Sequence, residues 1–151
     1  MITYVRGDAT NPLGPGNKCI VHIVNDAGRW GAGFVMALSK KWPKTREEYI
    51  RWYGEDKTFA LGRVLLTQVR NDIWIANMVA QKGIKTGSQG PPIRYVALEQ
   101  CLHEVGEIAR ERGWSLHLPK IGTGLAGGSW AKVEPIVERT LDGLSVTVYD
   151  L

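Results

Sequence analysis

Lys18-Cys19-Ile20-Val21-His22-Ile23-Val24 runs directly into Asn25-Asp26-Ala27-Gly28-Arg29-Trp30-Gly31-Ala32-Gly33-Phe34. The first segment is a near-continuous apolar run, the pattern of a strand covered on both faces. The second carries three glycines and leads into a helix expected from about Gly33 to Trp42, which Pro43 stops. Glycines at a strand-to-helix junction let the backbone approach a ligand closely, and the helix start presents free N–H groups. That combination predicts a phosphate cradle. A second stretch, Ile121-Gly122-Thr123-Gly124-Leu125-Ala126-Gly127-Gly128, falls at an equivalent junction. Two such loops facing each other would hold a ligand with more than one phosphate.

Working outward, strands and helices alternate. Ile2 to Arg6 reads as a strand ending at Gly7-Asp8, and Asn11 to Asn17 as a turn-rich loop. Thr45 with Glu48 three residues on predicts a capping box that opens a short helix carrying Tyr49, Trp52 and Tyr53. Gly62 to Val69 and Ile73 to Ala80 predict an antiparallel hairpin turning at Asn71-Asp72. Gln81 to Pro92 reads as a mobile glycine- and proline-containing loop. From Arg94 to Arg112, Tyr95, Leu98, Leu102, Val105 and Ala109 recur at helical spacing, and Gly113 suits the C-cap. Ser115 to Ile121 reads as a strand, Trp130 to Leu141 as a helix and Ser145 to Tyr149 as the last strand. Pro135 is expected to kink that helix or delay its regular part. The sum is a single α/β domain, a three-layer α/β/α sandwich with a mixed sheet.

Composition narrows the function classes. The 151 residues are 44% hydrophobic and 23% charged, ordinary for a soluble globular domain. There is no apolar run of membrane-spanning length and no secretion-signal pattern, so a cytoplasmic protein without a membrane partner is expected. Cys19 and Cys101, the two cysteines, fall in a strand and a helix and read as small core residues rather than metal ligands. A net charge of +4 from scattered Lys and Arg reads as a solvated surface that favours anionic ligands. Of the six tryptophans, Trp42 and Trp130 read as core-facing, whereas Trp30 sits inside the first glycine loop.

Ligands of such sheets gather beyond the carboxyl ends of the strands. Gly7-Asp8, Asn25-Asp26, Gln81 and Gly122-Thr123-Gly124 all fall at ends of that kind. Neither loop has the Gly-Lys-Ser/Thr ending of a P-loop or the dinucleotide-fold glycine spacing, which argues against metal-driven nucleotide hydrolysis. A diphosphate held by backbone amides fits better. Asp8 is either a turn acid or an acceptor for an exocyclic amine. Asn25 and Asp26 either make an Asx-turn or contact ribose hydroxyls and a water. His22 reads as a satisfied core histidine, and Lys120 as a solvated edge residue.

Gly7-Asp8-Ala9-Thr10, Val21-His22-Ile23-Val24-Asn25, Gly31-Ala32-Gly33-Phe34 and Leu118-Pro119-Lys120-Ile121-Gly122-Thr123-Gly124-Leu125, in this order, resemble the motifs of a macro domain. Val146-Thr147-Val148-Tyr149 resembles that family's last strand. The likeness covers essentially the whole chain, 1–151. The Gly-Ala-Gly form of the first loop is similar to the ALC1-like branch, which holds terminal ADP-ribose glycohydrolases and chromatin-remodeller macro domains. The resemblance implies a macro domain with a central mixed six-stranded sheet, which binds ADP-ribose with no cofactor and no metal. Asp8 would face the adenine amine, flanked by Gly7 and by Ala9, with Tyr149 near the adenine. Gly31, Ala32, Gly33 and Phe34 would wrap one side of the diphosphate. Ile121, Gly122, Thr123, Gly124, Leu125 and Ala126 would close the other. Asn25, Asp26 and Trp30 would lie near the distal ribose.

Two positions depart from the branch. Gln81, with Lys82 beside it, stands where its best-known hydrolase has a lysine, and Ala126 stands where that enzyme has an aspartate. A lysine-adduct route is therefore disfavoured. The resemblance then implies water attack on ADP-ribose esterified to a Glu or Asp side chain, with Asn25, Asp26 and Gln81 as candidate catalytic residues and Asp26→Ala the most damaging change. The implied partners are ADP-ribose and mono-ADP-ribosylated proteins, with nucleic acid only as an ADP-ribosylated substrate, and a monomer is expected. A non-catalytic ADP-ribose reader ranks second, and an ADP-ribose 1″-phosphate phosphatase third.

Overall fold

The computed structural model describes residues 2–87 and 90–151. Its elements run β1 (Ile2–Arg6), β2 (Lys18–Asn25), α1 (Phe34–Lys41), α2 (Lys44–Glu55), β3 (Val64–Arg70), β4 (Ile73–Gln81), α3 (Tyr95–Arg112), β5 (Ser115–Pro119), α4 (Trp130–Thr140) and β6 (Val146–Asp150). The strands form one six-stranded sheet of order β1-β6-β5-β2-β4-β3. Neighbours are parallel, except that β3 and β4 pair antiparallel through the Asn71-Asp72 turn. The mixed α/β/α sandwich expected from the sequence is present.

The period of two along the central strands sorts side chains into two cores. On one face Ile20 and Val24 of β2 meet Ile73, Ile75 and Val79 of β4 beneath Leu38, Tyr49 and Trp52 from α1 and α2. On the other, Cys19 and Val21 meet Ala76, Met78 and Ala80 beneath α3 and α4, which supply Leu98, Leu102, Val105, Val133 and Val137. Each large side chain buried this way contributes about 1.5–3 kcal/mol relative to exposure. Both cysteines are buried, and burial pushes the Cys101 thiol up to about 12 and raises Cys19 further.

Local details depart from the sequence expectations for identifiable reasons. The Thr45–Glu48 capping box does not form. The helix starts at Lys44 behind Pro43, whose fixed φ suits a helix start. Thr45 is fully buried and its hydroxyl donates to the Trp42 carbonyl at 2.9 Å, while Glu48 pairs with Lys44 at 3.7 Å. Gln81 ends β4 instead of opening a loop, and β5 stops at Pro119. Pro135 sits inside a helix that runs continuously from Trp130 to Thr140. Trp42 and Trp130 are only half-buried, at the edges of the two cores. The expected loop from Gln81 to Pro92 includes Ser88 and Gln89, which lie outside the described residues.

Candidate functional site

At the carboxyl ends of β2, β4 and β5 the two glycine loops enclose a cavity of about 840 Å³, within the range of small-molecule sites. They face each other: a Cβ added to Gly33 would sit 3.4 Å from Leu125 Cδ1 of the opposite loop. Gly33 has φ +83° as N-cap of α1, and no side chain caps that helix or puts an acid in its first turn. Its first N–H groups therefore stay free, and a helix N-terminus favours an anion by about 0.3–1 kcal/mol. In the second loop Gly122 holds φ +77°, and a Cβ there would come 2.5 Å from Ile93 Cδ1. Among the described residues, the N–H groups of Gly31 to Phe34 and of Gly122 to Ala126 donate to no protein acceptor. Two rows of unspent donors across one cavity form an anion cradle.

Asn25 lines the cavity, and its side chain is committed to the first loop. Its Oδ1 accepts from the N–H groups of Ala27 (2.9 Å) and Arg29 (3.1 Å), and its Nδ2 donates to the Arg29 carbonyl at 2.8 Å. This is the Asx-turn geometry. The Tyr49 hydroxyl, buried on α2, donates to the Asn25 carbonyl at 2.7 Å. A register shift between Val24 and Asn25 sets Asn25 beside Gln81 of β4. Gln81 also lines the cavity, and its Nε2 donates to the Gly83 carbonyl at 3.0 Å, so its Oε1 remains available.

Asp26 does not line the cavity. It turns toward the segment after β4, where its Oδ1 accepts from Gly83 N–H at 2.7 Å and its Oδ2 lies 3.6 Å from Lys82 Nζ. Lys82 is outside the lining as well. The lining, among the described residues, contains no carboxylate: its charged members are Arg29, Arg46 and Lys120. Lys120 pairs with Asp150 at 3.2 Å. The electrostatics suit an anion, and the wall supplies no acidic general base.

The expected adenine end is a separate region. Gly7, Asp8, Ala9 and Tyr149 lie outside the cavity lining, whereas Trp30 to Phe34 and Ile121 to Ala126 all belong to it. Asp8 Oδ1 accepts from both the N–H and the hydroxyl of Thr10 at 2.8 Å, a turn acid whose second oxygen has no partner among the described residues. Tyr149 is buried beside Gly7. Its hydroxyl accepts from Leu13 N–H at 2.8 Å and lies 2.7 Å from His117 Nδ1. It thereby ties the loop after β1 to the sheet. Burial, together with the charge of Lys18, pushes His117 down to about 4.

Several wall residues carry no motif in the sequence. Arg46 and Ile50 come from α2, and Ile84 from beyond β4. The helical spacing that puts Arg46, Tyr49 and Ile50 on adjoining turns was the available signal, but it marks a core face as readily as a site. His22, expected as a satisfied core histidine, both packs in the core and lines the cavity, and its Nδ1 has no partner among the described residues.

The sequence profile of the macro domain family matches residues 21–137. A macrodomain protein of known structure from Streptomyces coelicolor is 44% identical, with TM-score 0.89, over 100% of this chain and 99% of that one. Chromodomain-helicase-DNA-binding protein 1-like of Danio rerio is 32% identical across 98% of this chain but only 15% of its own length, so the chain spans about a sixth of that relative. An ADP-ribose 1″-phosphate phosphatase of Lodderomyces elongisporus is 27% identical across 98% of this chain and 97% of its own. The family profile covers more than half of the chain, and the likeness to the Streptomyces coelicolor macrodomain covers all of it; the chain belongs to the macro domain family.

Proposed function

We propose that this domain binds ADP-ribose and hydrolyses mono-ADP-ribose esters from Glu or Asp side chains of modified proteins. The observation that carries the reading is the pair of facing loops whose N–H groups are unspent, around a cavity with cationic and amide walls and no carboxylate among the described residues. A pyrophosphate spans the gap between them. The sugar beyond it then lies toward Asn25 and Gln81.

An acyl ester is labile, so an oriented water and modest proton transfer, worth about 10²–10⁴-fold, suffice. Gln81 Oε1 is an acceptor on the cavity wall without a partner among the described residues, and a phosphate oxygen of the ligand serves as base. Water adds to the ester carbonyl and gives one proton through the phosphate oxygen; the C–O bond to the sugar breaks, the sugar oxygen leaves with that proton, and free ADP-ribose and a carboxylate result, the second proton going to solvent. The wall without an acid equally suits a reader that binds and does not cut. The absence of a carboxylate base among the described lining residues is what favours that second reading.

Incubating the purified protein with Glu/Asp-ADP-ribosylated substrate separates them. Release of ADP-ribose that falls in Gln81→Ala, with affinity for ADP-ribose retained, supports the hydrolase. Tight binding without release supports the reader, and no binding of ADP-ribose removes both.

A further inference from the structure

Three buried polar side-chain atoms have no partner among the described residues: His22 Nδ1, Trp30 Nε1 and Thr67 Oγ1. Two of the three belong to residues that wall the cavity. Buried polar groups are nearly always hydrogen-bonded, so two orphans on neighbouring wall residues point to a missing partner.

Their chemistry is fixed by the surroundings. Asn77 Nδ2 donates to the Leu65 carbonyl at 3.1 Å, which turns Asn77 Oδ1 toward His22 Nε2 at 2.6 Å. Oδ1 only accepts, so His22 Nε2 carries the hydrogen and Nδ1 is a bare acceptor. Burial holds the ring neutral, with its pKa down to about 4. The indole Nε1–H of Trp30 only donates. The two rings meet edge-on, 82° between planes and 5.8 Å between centroids. An acceptor and a donor thus sit on adjacent rings, and a group that partners both must itself donate and accept. A phosphate oxygen is excluded because it cannot donate to Nδ1, and an amine nitrogen because it does not accept from the indole. A hydroxyl does both.

We infer that Trp30 and His22 form a subsite for one hydroxyl of the sugar beyond the pyrophosphate, the indole N–H donating to it and imidazole Nδ1 accepting from it. This rests on ADP-ribose being the ligand. Both nitrogens are closed off from solvent, so the indole tips to admit the hydroxyl. Trp30 lies in the stretch from Gly28 to Gly31, which belongs to no helix or strand. Asn77, which touches no ligand, is a positioning residue that sets the tautomer of His22.

Calorimetry with ADP-ribose and with ADP, which lacks that sugar, tests the assignment. Trp30→Phe keeps the aromatic packing and removes the donor. It is expected to weaken ADP-ribose roughly three- to tenfold and to change ADP by less than about twofold. Equal losses for both ligands, as a bound water or a packing role would give, overturn the subsite, and so does no loss for either. A second measurement does not depend on the variant folding. In ¹⁵N-labelled wild-type protein, the Trp30 indole N–H resonance shifts with ADP-ribose and not with ADP, and an unmoved resonance also overturns it. Failure of the wild type to bind ADP-ribose is a different result and removes the function proposed above.

Discussion

The Tyr49 hydroxyl donates to the main-chain carbonyl of Asn25 at 2.7 Å and lies 3.0 Å from its Oδ1. A fully buried phenol on α2 thus pins the last residue of β2, from which the first glycine loop departs. Tyr49→Phe keeps the ring, which packs on Trp30 at 5.4 Å, and strands a buried carbonyl. A loss of about 1–2 kcal/mol is expected in urea unfolding, with an unchanged m-value, together with weaker ADP-ribose binding by calorimetry.

Asn25 and Asp26 should separate in their effects. Asn25→Ala removes three hydrogen bonds inside the loop and empties part of the cavity wall. Affinity for ADP-ribose should fall about tenfold or more, at roughly 1–3 kcal/mol of stability. Asp26→Ala frees Gly83 and Lys82, outside the cavity. Its loss of affinity should be the smaller one, reversing the order that the sequence alone predicts. Isothermal titration of both variants decides.

Acid should weaken the fold before the carboxylates titrate. Burial depresses His22 and His117 from 6.5 to about 4 in the folded protein. Between those values the unfolded chain binds protons that the folded one refuses. The stability is therefore complete above about pH 6.5 and declines as pH falls toward 4, by roughly 2–4 kcal/mol for His22 alone. Unfolding free energies at pH 7, 5.5 and 4.5 test this, and a flat profile above about pH 5 contradicts it.

Gly122→Ala should damage the second loop. Its φ of +77° is strained for alanine, and the new methyl would meet Ile93 Cδ1 at 2.5 Å. The cost is about 1–2 kcal/mol from the backbone alone, with further loss as Ile93 moves. Thermal denaturation and ADP-ribose titration are expected to show both effects.

Sheet, layers and both loops were legible because they rest on strong local signals. Lys18 to Val24 is apolar throughout, Asn71-Asp72 turns a hairpin, and the glycines mark strand ends. The Thr45–Glu48 cap was misread because Pro43 starts the helix sooner and Thr45 is drawn into the core. The site was legible as far as its backbone. Where side chains decide, the sequence was mute. Neighbouring Asn25 and Asp26 point to different places because successive residues diverge where β2 ends, and only the fold shows which one meets the cavity. The second role of His22 was invisible for a similar reason: the missing partner of Nδ1 is a three-dimensional fact.

β2 lies between β4 and β5, and pairs with β5 only through Lys18, Cys19 and Ile20. The two halves of the clasp thus grow from strands adjacent in space and far apart along the chain. During synthesis the first loop leaves the ribosome long before its counterpart, so the clasp is among the last parts of the molecule to close. A nascent chain lacking β5 therefore carries only half of the paired loops.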